Sequence, residues 1–287
     1  MRALLPDNAF ERSVNTCCFD SAIVRQPATT VSAGLRAHDR GDPTYQGICA
    51  EHEAYVGALR TAGLKVHVLP ALEAFPDSVF VEDPALVFSA GAVVLRPGAA
   101  SRKGEAEALR PALEQHFERV LQLARGSVDG GDVLVLPDTV MIGLSARTTR
   151  EGAEALIECL AALGSTGVVV QTPRDVLHLK SDCSLLDAET ILTTSRLSRS
   201  RIFSGFKELI VPEGEEAGAN ALRVNDQVLV GQDYPGTLER LVSAGFRAVP
   251  LPTSEIARID AGLSCMSLRW QARRATPERE RTGSANS

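Results

Sequence analysis

The sequence predicts an α/β protein whose repeated strand–strand–helix–strand units close into a ring. One pattern occurs three times: an amphipathic helix, a stopping glycine, and a short strand closed by Pro70, Pro173 or Pro252. Two-strand hairpins precede the second and third copies and recur elsewhere. The unit therefore repeats about every 50 residues, the scale of a closed array. The first unit lacks its opening strands, while the last strand, M-S-L-R-W, has no unit of its own. If that last strand completes the first unit, the ring closes and Cys265 is carried to its middle. A linear solenoid would show tighter repetition and atypical capping ends.

Taken in order, H-E-A-Y-V-G-A-L-R-T-A-G-L-K-V-H-V-L-P reads as helix, stop and strand. Gly63, Gly164 and Gly245 fit the position after a helix, where a left-handed backbone suits glycine. A hairpin over 85–95 leads to a helix from about Ser101, which Pro111 should kink or break. D-V-L-V-L-P-D-T-V-M-I-G is a hairpin turning at Pro137-Asp138, and Thr148 with Glu151 reads as a capping box for the next helix. S-L-L-D-A-E-T-I-L-T-T is another hairpin, and A-L-R-V-N-D-Q-V-L-V turns at Asn225-Asp226. The division expected is an N-terminal extension over 1–18, one domain over 19–270 and a polar, disordered tail over 271–287.

Composition narrows the function. Of 287 residues, 44% are hydrophobic and 23% charged, as in ordinary globular proteins. A net charge of −6 without a basic, aromatic-laced stripe argues against nucleic acid. No apolar run approaches the roughly 20 residues of a membrane helix, and the first ten residues lack a signal-like apolar region. Six dispersed cysteines with no C-x-x-C pair suggest free thiols in a reducing cytoplasm, and no Cys/His spacing supports zinc.

Several stretches could carry chemistry. F-P-D-S-V-F-V-E-D-P places Asp77, Glu82 and Asp83 around an apolar core. These acids suit a solvated strand end, or a clamp on a metal or a planar guanidinium. S-V-D-G-G-D-V puts Asp129 and Asp132 beside a glycine pair that permits close approach, or simply a turn between units. In V-L-H-L-K, His178 reads as part of an apolar strand, facing away from its leucine neighbours. A buried cysteine is usually a small hydrophobe. Cys265 differs through its polar approach, Asp260, Gly262 and Ser264. With a distant histidine and carboxylate it would complete a nucleophile–base–orienter set. Arg96 and Arg147 follow the hairpins of their own units, so in a ring they would face one site and suit a carboxylate. As isolated residues they read equally well as surface arginines.

Together these stretches resemble the dimethylarginine dimethylaminohydrolase family of the pentein, or guanidine-modifying, superfamily. The matching motifs are F-P-D-S-V-F-V-E-D-P, L-R-P-G-A-A-S-R-K-G-E, D-G-G-D-V, G-L-S-A-R-T, L-H-L-K, V-N-D-Q-V and D-A-G-L-S-C-M-S-L-R-W, in family order from about residue 20 to 270. The resemblance implies a fivefold pseudosymmetric α/β propeller of ββαβ units. It implies that Cys265 is the nucleophile, His178 the general acid/base and Asp129 the carboxylate that orients it. By the same resemblance Asp77, Glu82 and Asp83 surround the substrate guanidinium, and Arg96 and Arg147 hold its carboxylate. Leu35 belongs to a mobile lid, and Ile259 and Asp260 line the amino-acid end.

The implied reaction hydrolyses asymmetric dimethylarginine or monomethylarginine to citrulline and dimethylamine or methylamine, through a cysteine thiouronium. It needs no metal and no organic cofactor. Arginine deiminase, on the same fold, is the nearest competing enzyme, with a hydrolase of another guanidino compound beside it. Its superfamily position two residues after the histidine is typically Asp, whereas here it is Lys180, which favours a methylated substrate. A non-catalytic guanidino-compound binder is a further alternative. The partner expected is the small methylated arginine, with no nucleic acid and no membrane, and a homodimer is left open as the assembly.

Overall fold

Runs of three to five residues rich in Val, Ile and Leu, each bounded by turn residues, fold as short strands in the computed structural model. The structure describes residues 16–37 and 39–272. The first unit holds β1 (Ser21–Arg25), helix α1 (Tyr45–Thr61) and β2 (Lys65–Leu69). The second runs β3 (Ala85–Phe88), β4 (Gly91–Val94), α2 (Lys103–His116) and β5 (Val120–Gln122). Then come β6 (Val133–Val135), β7 (Val140–Leu144), α3 (Arg150–Ala162) and β8 (Gly167–Gln171). The fourth unit is β9 (Cys183–Leu185), β10 (Thr190–Thr193), α4 (Ser195–Ser198) and β11 (Lys207–Ile210). The fifth is β12 (Leu222–Val224), β13 (Gln227–Gly231), α5 (Pro235–Ser243) and β14 (Arg247–Leu251), and β15 (Leu268–Trp270) ends the described chain's strands.

These strands form five three-stranded sheets with one grammar: β15-β1-β2, β3-β4-β5, β6-β7-β8, β9-β10-β11 and β12-β13-β14. In each, the middle strand pairs antiparallel with the first and, across the helix, parallel with the third. Ring closure is explicit: β15 pairs antiparallel with β1, with Ser21 opposite Trp270 and Ile23 opposite Leu268. The molecule is a fivefold pseudosymmetric α/β propeller, and its C-terminal strand completes the first unit.

Local chemistry explains the boundaries. Thr44 and Thr149 cap α1 and α3, each hydroxyl accepting from a backbone N–H at 3.1 Å, from Gly47 and Gly152 respectively. The cap of α3 is thus one residue beyond the expected Thr148, whose hydroxyl instead donates to Asp132. Gly63, Gly164 and Gly245 end their helices at φ +96°, +78° and +90°, a region that side chains avoid. Pro111 does not break α2. It lies on the exposed face with Glu107, the residue whose carbonyl it frees, so water can satisfy that carbonyl. Apolar faces of helices and sheets meet in five clusters; in the first, Ile48, Tyr55 and Leu59 of α1 pack fully buried with Val24 and Leu229. Each such side chain contributes about 1.5–3 kcal/mol.

The feature that organises function is a 3-10 turn ahead of each inner strand. Pro76–Val79 precedes β3, Gly130–Asp132 precedes β6, Leu179–Ser181 precedes β9, Glu216–Ala219 precedes β12, and Leu263–Met266 precedes β15. His178 therefore begins a turn rather than lying in a strand, because the strand of its unit starts only at Cys183. The extension and tail fall mostly outside the described residues. Among those described, no helix is long and apolar enough to cross a membrane.

Candidate active site

The five turns bring one group of polar side chains from each unit to the same end of the ring. Asp129 precedes its turn and is fully buried. Its Oδ1 accepts from the Gly98 N–H at 2.7 Å, and its Oδ2 lies 3.1 Å from His178 Nε2. Gly131 sits under the imidazole: a Cβ there would lie 2.8 Å from His178 Nδ1 and 3.0 Å from Asp83 Oδ1. The glycine pair is thus required by close approach, the first of the two readings the sequence allowed.

Burial opposes a charge on His178, but the Asp129 hydrogen bond and the carboxylates of Asp83, Asp132 and Asp129 outweigh it, raising the imidazolium pKa to about 9. Asp132 is the scaffold of this corner. Its Oδ1 accepts from the Leu179 N–H at 3.0 Å, and its Oδ2 accepts from Ser145 and Thr148 hydroxyls at 2.6 and 2.7 Å. Burial raises its pKa against those donors.

Cys265 lies in the last turn and is half-buried. Its carbonyl accepts from the Glu82 N–H at 3.2 Å, and the Asn220 amide donates toward its sulfur at 3.8 Å. Burial, then the negative charges of Glu82 and Asp83, push its thiol up to about 11, with Lys180 opposing. Cys265 and His178 both sense the charge of Asp83, so the two reactive candidates share one electrostatic neighbour.

The remaining acids are held tightly. Glu82 accepts from the Ser264 hydroxyl at 2.9 Å and is paired with Lys180 Nζ at 2.6 Å. Asp83 stays below the usual carboxylate range despite burial, because Arg102 and His178 lie beside it. Asp77 accepts from the Leu35 N–H at 2.9 Å, while burial raises its pKa against the pull of Arg102.

Leu35 belongs to a segment docked across this end. Gly34 fits between Asp77 and Ile259, and the Ala37 N–H donates to Asp260, whose backbone is left-handed at φ 54°. Leu35 itself is exposed and Ile259 buried. Arg147 is half-buried and its charge reaches Asp77. Arg96 is exposed, its backbone bridged to Val128, and its guanidinium has no hydrogen bond or ion pair among the described residues.

The basic residue that does meet the acids is Arg102. It is buried at the N-cap of α2, paired with Asp83 and Glu105, and donates to the carbonyls of Asp77 and Phe80. A cation at a helix N-terminus is unfavourable, so its position in S-R-K-G-E is a signal that acidic partners are near. Asn220 and Asp132 are likewise site residues that sequence reasoning did not assign. Asp83, Asp129 and His178 place ligand-type atoms within 4.8 Å of one another. A cleft of about 1300 Å³ opens beside the cluster, lined by Ala37, Asn220 and Asp260 but not by Cys265, His178 or Asp129. Open space and reactive groups are adjacent rather than coincident.

Comparison with known proteins adds the following. The family model described as "N,N dimethylarginine dimethylhydrolase, eukaryotic" matches residues 28–176. A protein of Pseudomonas aeruginosa named N(G),N(G)-dimethylarginine dimethylaminohydrolase is 38% identical, over 88% of this chain and 100% of its own. One of the same name from Streptomyces coelicolor is 32% identical, over 86% of this chain and 96% of its own. The crystal structure of a cysteine-to-serine mutant of the Pseudomonas enzyme complexed with citrulline superimposes with a TM-score of 0.85 at 38% identity. It covers 88% of this chain and 99% of that one.

Proposed function

The chain belongs to the dimethylarginine dimethylaminohydrolase family, and from that premise we infer that it hydrolyses Nω-methylated arginine to citrulline and a methylated amine. The observation that carries the mechanism is the pairing of His178 with a fully buried Asp129, with Asp83 close enough for its charge to act on both His178 and Cys265.

A guanidinium is a poor electrophile because resonance spreads its charge. Asp77, Glu82 and Asp83 fix its plane and aim the central carbon at sulfur. The resting thiol at about 11 is a weak nucleophile at neutral pH. The substrate's own positive charge, placed among the same acids that raise the thiol, offsets them and draws it toward thiolate, the thiol proton passing to solvent. Attack forms the carbon–sulfur bond and a tetrahedral adduct. His178, held protonated, gives its proton to the departing amine nitrogen and the carbon–nitrogen bond breaks. The neutral imidazole then takes a proton from water as it adds to the thiouronium carbon. On collapse the carbon–sulfur bond breaks and the adduct's hydroxyl proton passes to the departing sulfur, which returns the thiol and releases citrulline.

Arg147 and Arg96 suit the substrate carboxylate, with Leu35, Ile259 and Asp260 closing the amino-acid end. Lys180, which neutralises Glu82, stands where a deiminase would place a second acid, and this favours a methylated nitrogen. The same reading extends to a single catalytic domain over 19–270, a cytoplasmic site of action and assembly as a homodimer. The free thiols of Cys17, Cys49, Cys159, Cys183 and Cys265 support the reducing compartment. The test is citrulline release from asymmetric dimethylarginine and from arginine, by wild type and Cys265→Ser. Release mainly from the methylated substrate, lost in the variant, is expected. Turnover mainly of arginine would move the activity to a deiminase.

A further inference from the structure

Asn220 ends the turn of the fifth unit, Glu216–Ala219, and Cys265 lies in the turn that precedes β15 of the first. The Asn220 N–H donates to the Ala217 carbonyl at 3.2 Å, and its neighbours Ala219 and Ala221 are buried, so its backbone is fixed. The side chain reaches from one unit to the other. Its Oδ1 accepts from the Ser264 N–H at 3.1 Å, and its Nδ2 donates toward the Cys265 sulfur at 3.8 Å. A Cβ added to Gly262 would overlap the amide, so that glycine leaves the room in which Asn220 lies.

Chemistry decides which way the amide points. A backbone N–H can only donate, so the atom facing Ser264 must be the oxygen. The nitrogen then faces sulfur, with an N–H to give. Such a donor favours thiolate over thiol, because a hydrogen bond to the charged form is about twice as strong. Burial, then Glu82 and Asp83, act against negative charge on this sulfur, while a backbone hydrogen bond from Gly262 and the charge of Lys180 act for it. Asn220 joins the second group as a side-chain donor held at one angle. An aspartate of the same shape would keep the Ser264 bond and set a third carboxylate against the sulfur.

We propose that Asn220 is a further residue of the reacting centre, an amide donor that holds the Cys265 sulfur in place and stabilises negative charge on it. It acts before substrate arrives, whereas the substrate's own cation acts only once bound. It acts again when the carbon–sulfur bond breaks and an electron pair returns to sulfur. The catalytic consequence, though not the effect on the thiol, rests on the function proposed above.

The test is alkylation of Cys265 by iodoacetamide between pH 7 and 11 in the full-length protein, read by peptide mass spectrometry so that the other cysteines do not interfere. Asn220→Asp keeps the acceptor for Ser264 and removes the donor to sulfur, which separates the two roles of the side chain. The lost charge-assisted hydrogen bond should lower the thiolate fraction at pH 8 at least about tenfold. A more basic thiolate attacks faster, with a Brønsted slope of about 0.4–0.5, so the observed rate should fall at least about threefold. The wild-type profile should begin to level at about 11, where the variant's should still rise at full slope. Asn220→Leu lacks both bonds and should shift the same way, which keeps the test open if the aspartate variant does not fold. With asymmetric dimethylarginine, both should lower kcat at least about threefold and leave KM within about twofold. Superimposable alkylation profiles would overturn the proposal, as would rates that fall equally at every pH, the mark of altered access. Alkylation needs no turnover, so a shifted profile in a protein that releases no citrulline would uphold the donor and sink only the proposed activity.

Discussion

Asparagine in place of Asp129 keeps the side-chain shape and removes the charge that faces His178. In the wild type the imidazolium titrates at about 9 rather than 6.5, a difference of about 2.5 units, or about 3 kcal/mol at 1.36 kcal/mol per unit. Burial acts against this, and the hydrogen bond that the ring donates to Asp129 is the leading favourable cause. Without it the pKa should fall by about two units. At pH 8 the protonated fraction would then drop from about nine-tenths to about one-tenth, a tenfold loss of general acid. Loss of ring orientation adds to this, for a total of about 10²–10⁴ in kcat.

The assay pairs ring titration by NMR with citrulline release between pH 6 and 10. A ring still titrating near 9, or a kcat within twofold of wild type, would refute the reasoning. Stability carries the same sign. A raised folded-state pKa stabilises fully below about 6.5, and that contribution is lost as pH rises through about 9. Wild-type unfolding free energy should fall by up to about 3 kcal/mol across that window, and Asp129→Asn should be flatter there.

Gly131→Ala should push the imidazole and Asp83 apart, lowering kcat about 100-fold with little change in thermal midpoint; unchanged kcat would show that the close approach is dispensable. Arg102→Met leaves Asp83 and Glu105 buried without their cation and should destabilise by about 3–5 kcal/mol in denaturant unfolding. Arg147→Ala should raise KM for the methylated substrate about tenfold. Arg96→Ala should raise it less, because Arg147 is half-buried with its charge reaching Asp77 while Arg96 is exposed; equal increases would undo that distinction.

Much of this architecture is legible in the sequence because its signals are local. Hairpin turns such as Asn225-Asp226, the stopping glycines and the alternating apolar runs act within a few residues. The ring followed from counting units, since an orphan last strand and an incomplete first unit need each other. What local reading missed is set by distance. Arg102 meets Asp83 across 19 positions, and its pull is invisible in a stretch that also begins a helix. Asn220 reaches Cys265 across 45 positions. Pro111 and Thr148 depart from the local expectation for related reasons: solvent can satisfy one carbonyl, and a buried carboxylate claims one hydroxyl. His178 followed the apolar period of its neighbours only on paper, because Asp132 binds the next backbone N–H and folds the segment into a turn.

Ring closure by β15 also sets a timetable. Of the ring's described strands β1 leaves the ribosome first, and β2 soon covers one of its edges. The other edge stays open until β15 arrives, its first residue Leu268 lying 245 positions after its partner Ile23. During that interval the chain carries an unpaired strand edge, a known hazard for misassociation. Cys265 lies only a few residues before the closing strand, so it is made after every other group of the site. A nascent chain can assemble the acids, His178 and Asp129 long before it holds a nucleophile. Its chemistry begins only when the last strand has been made.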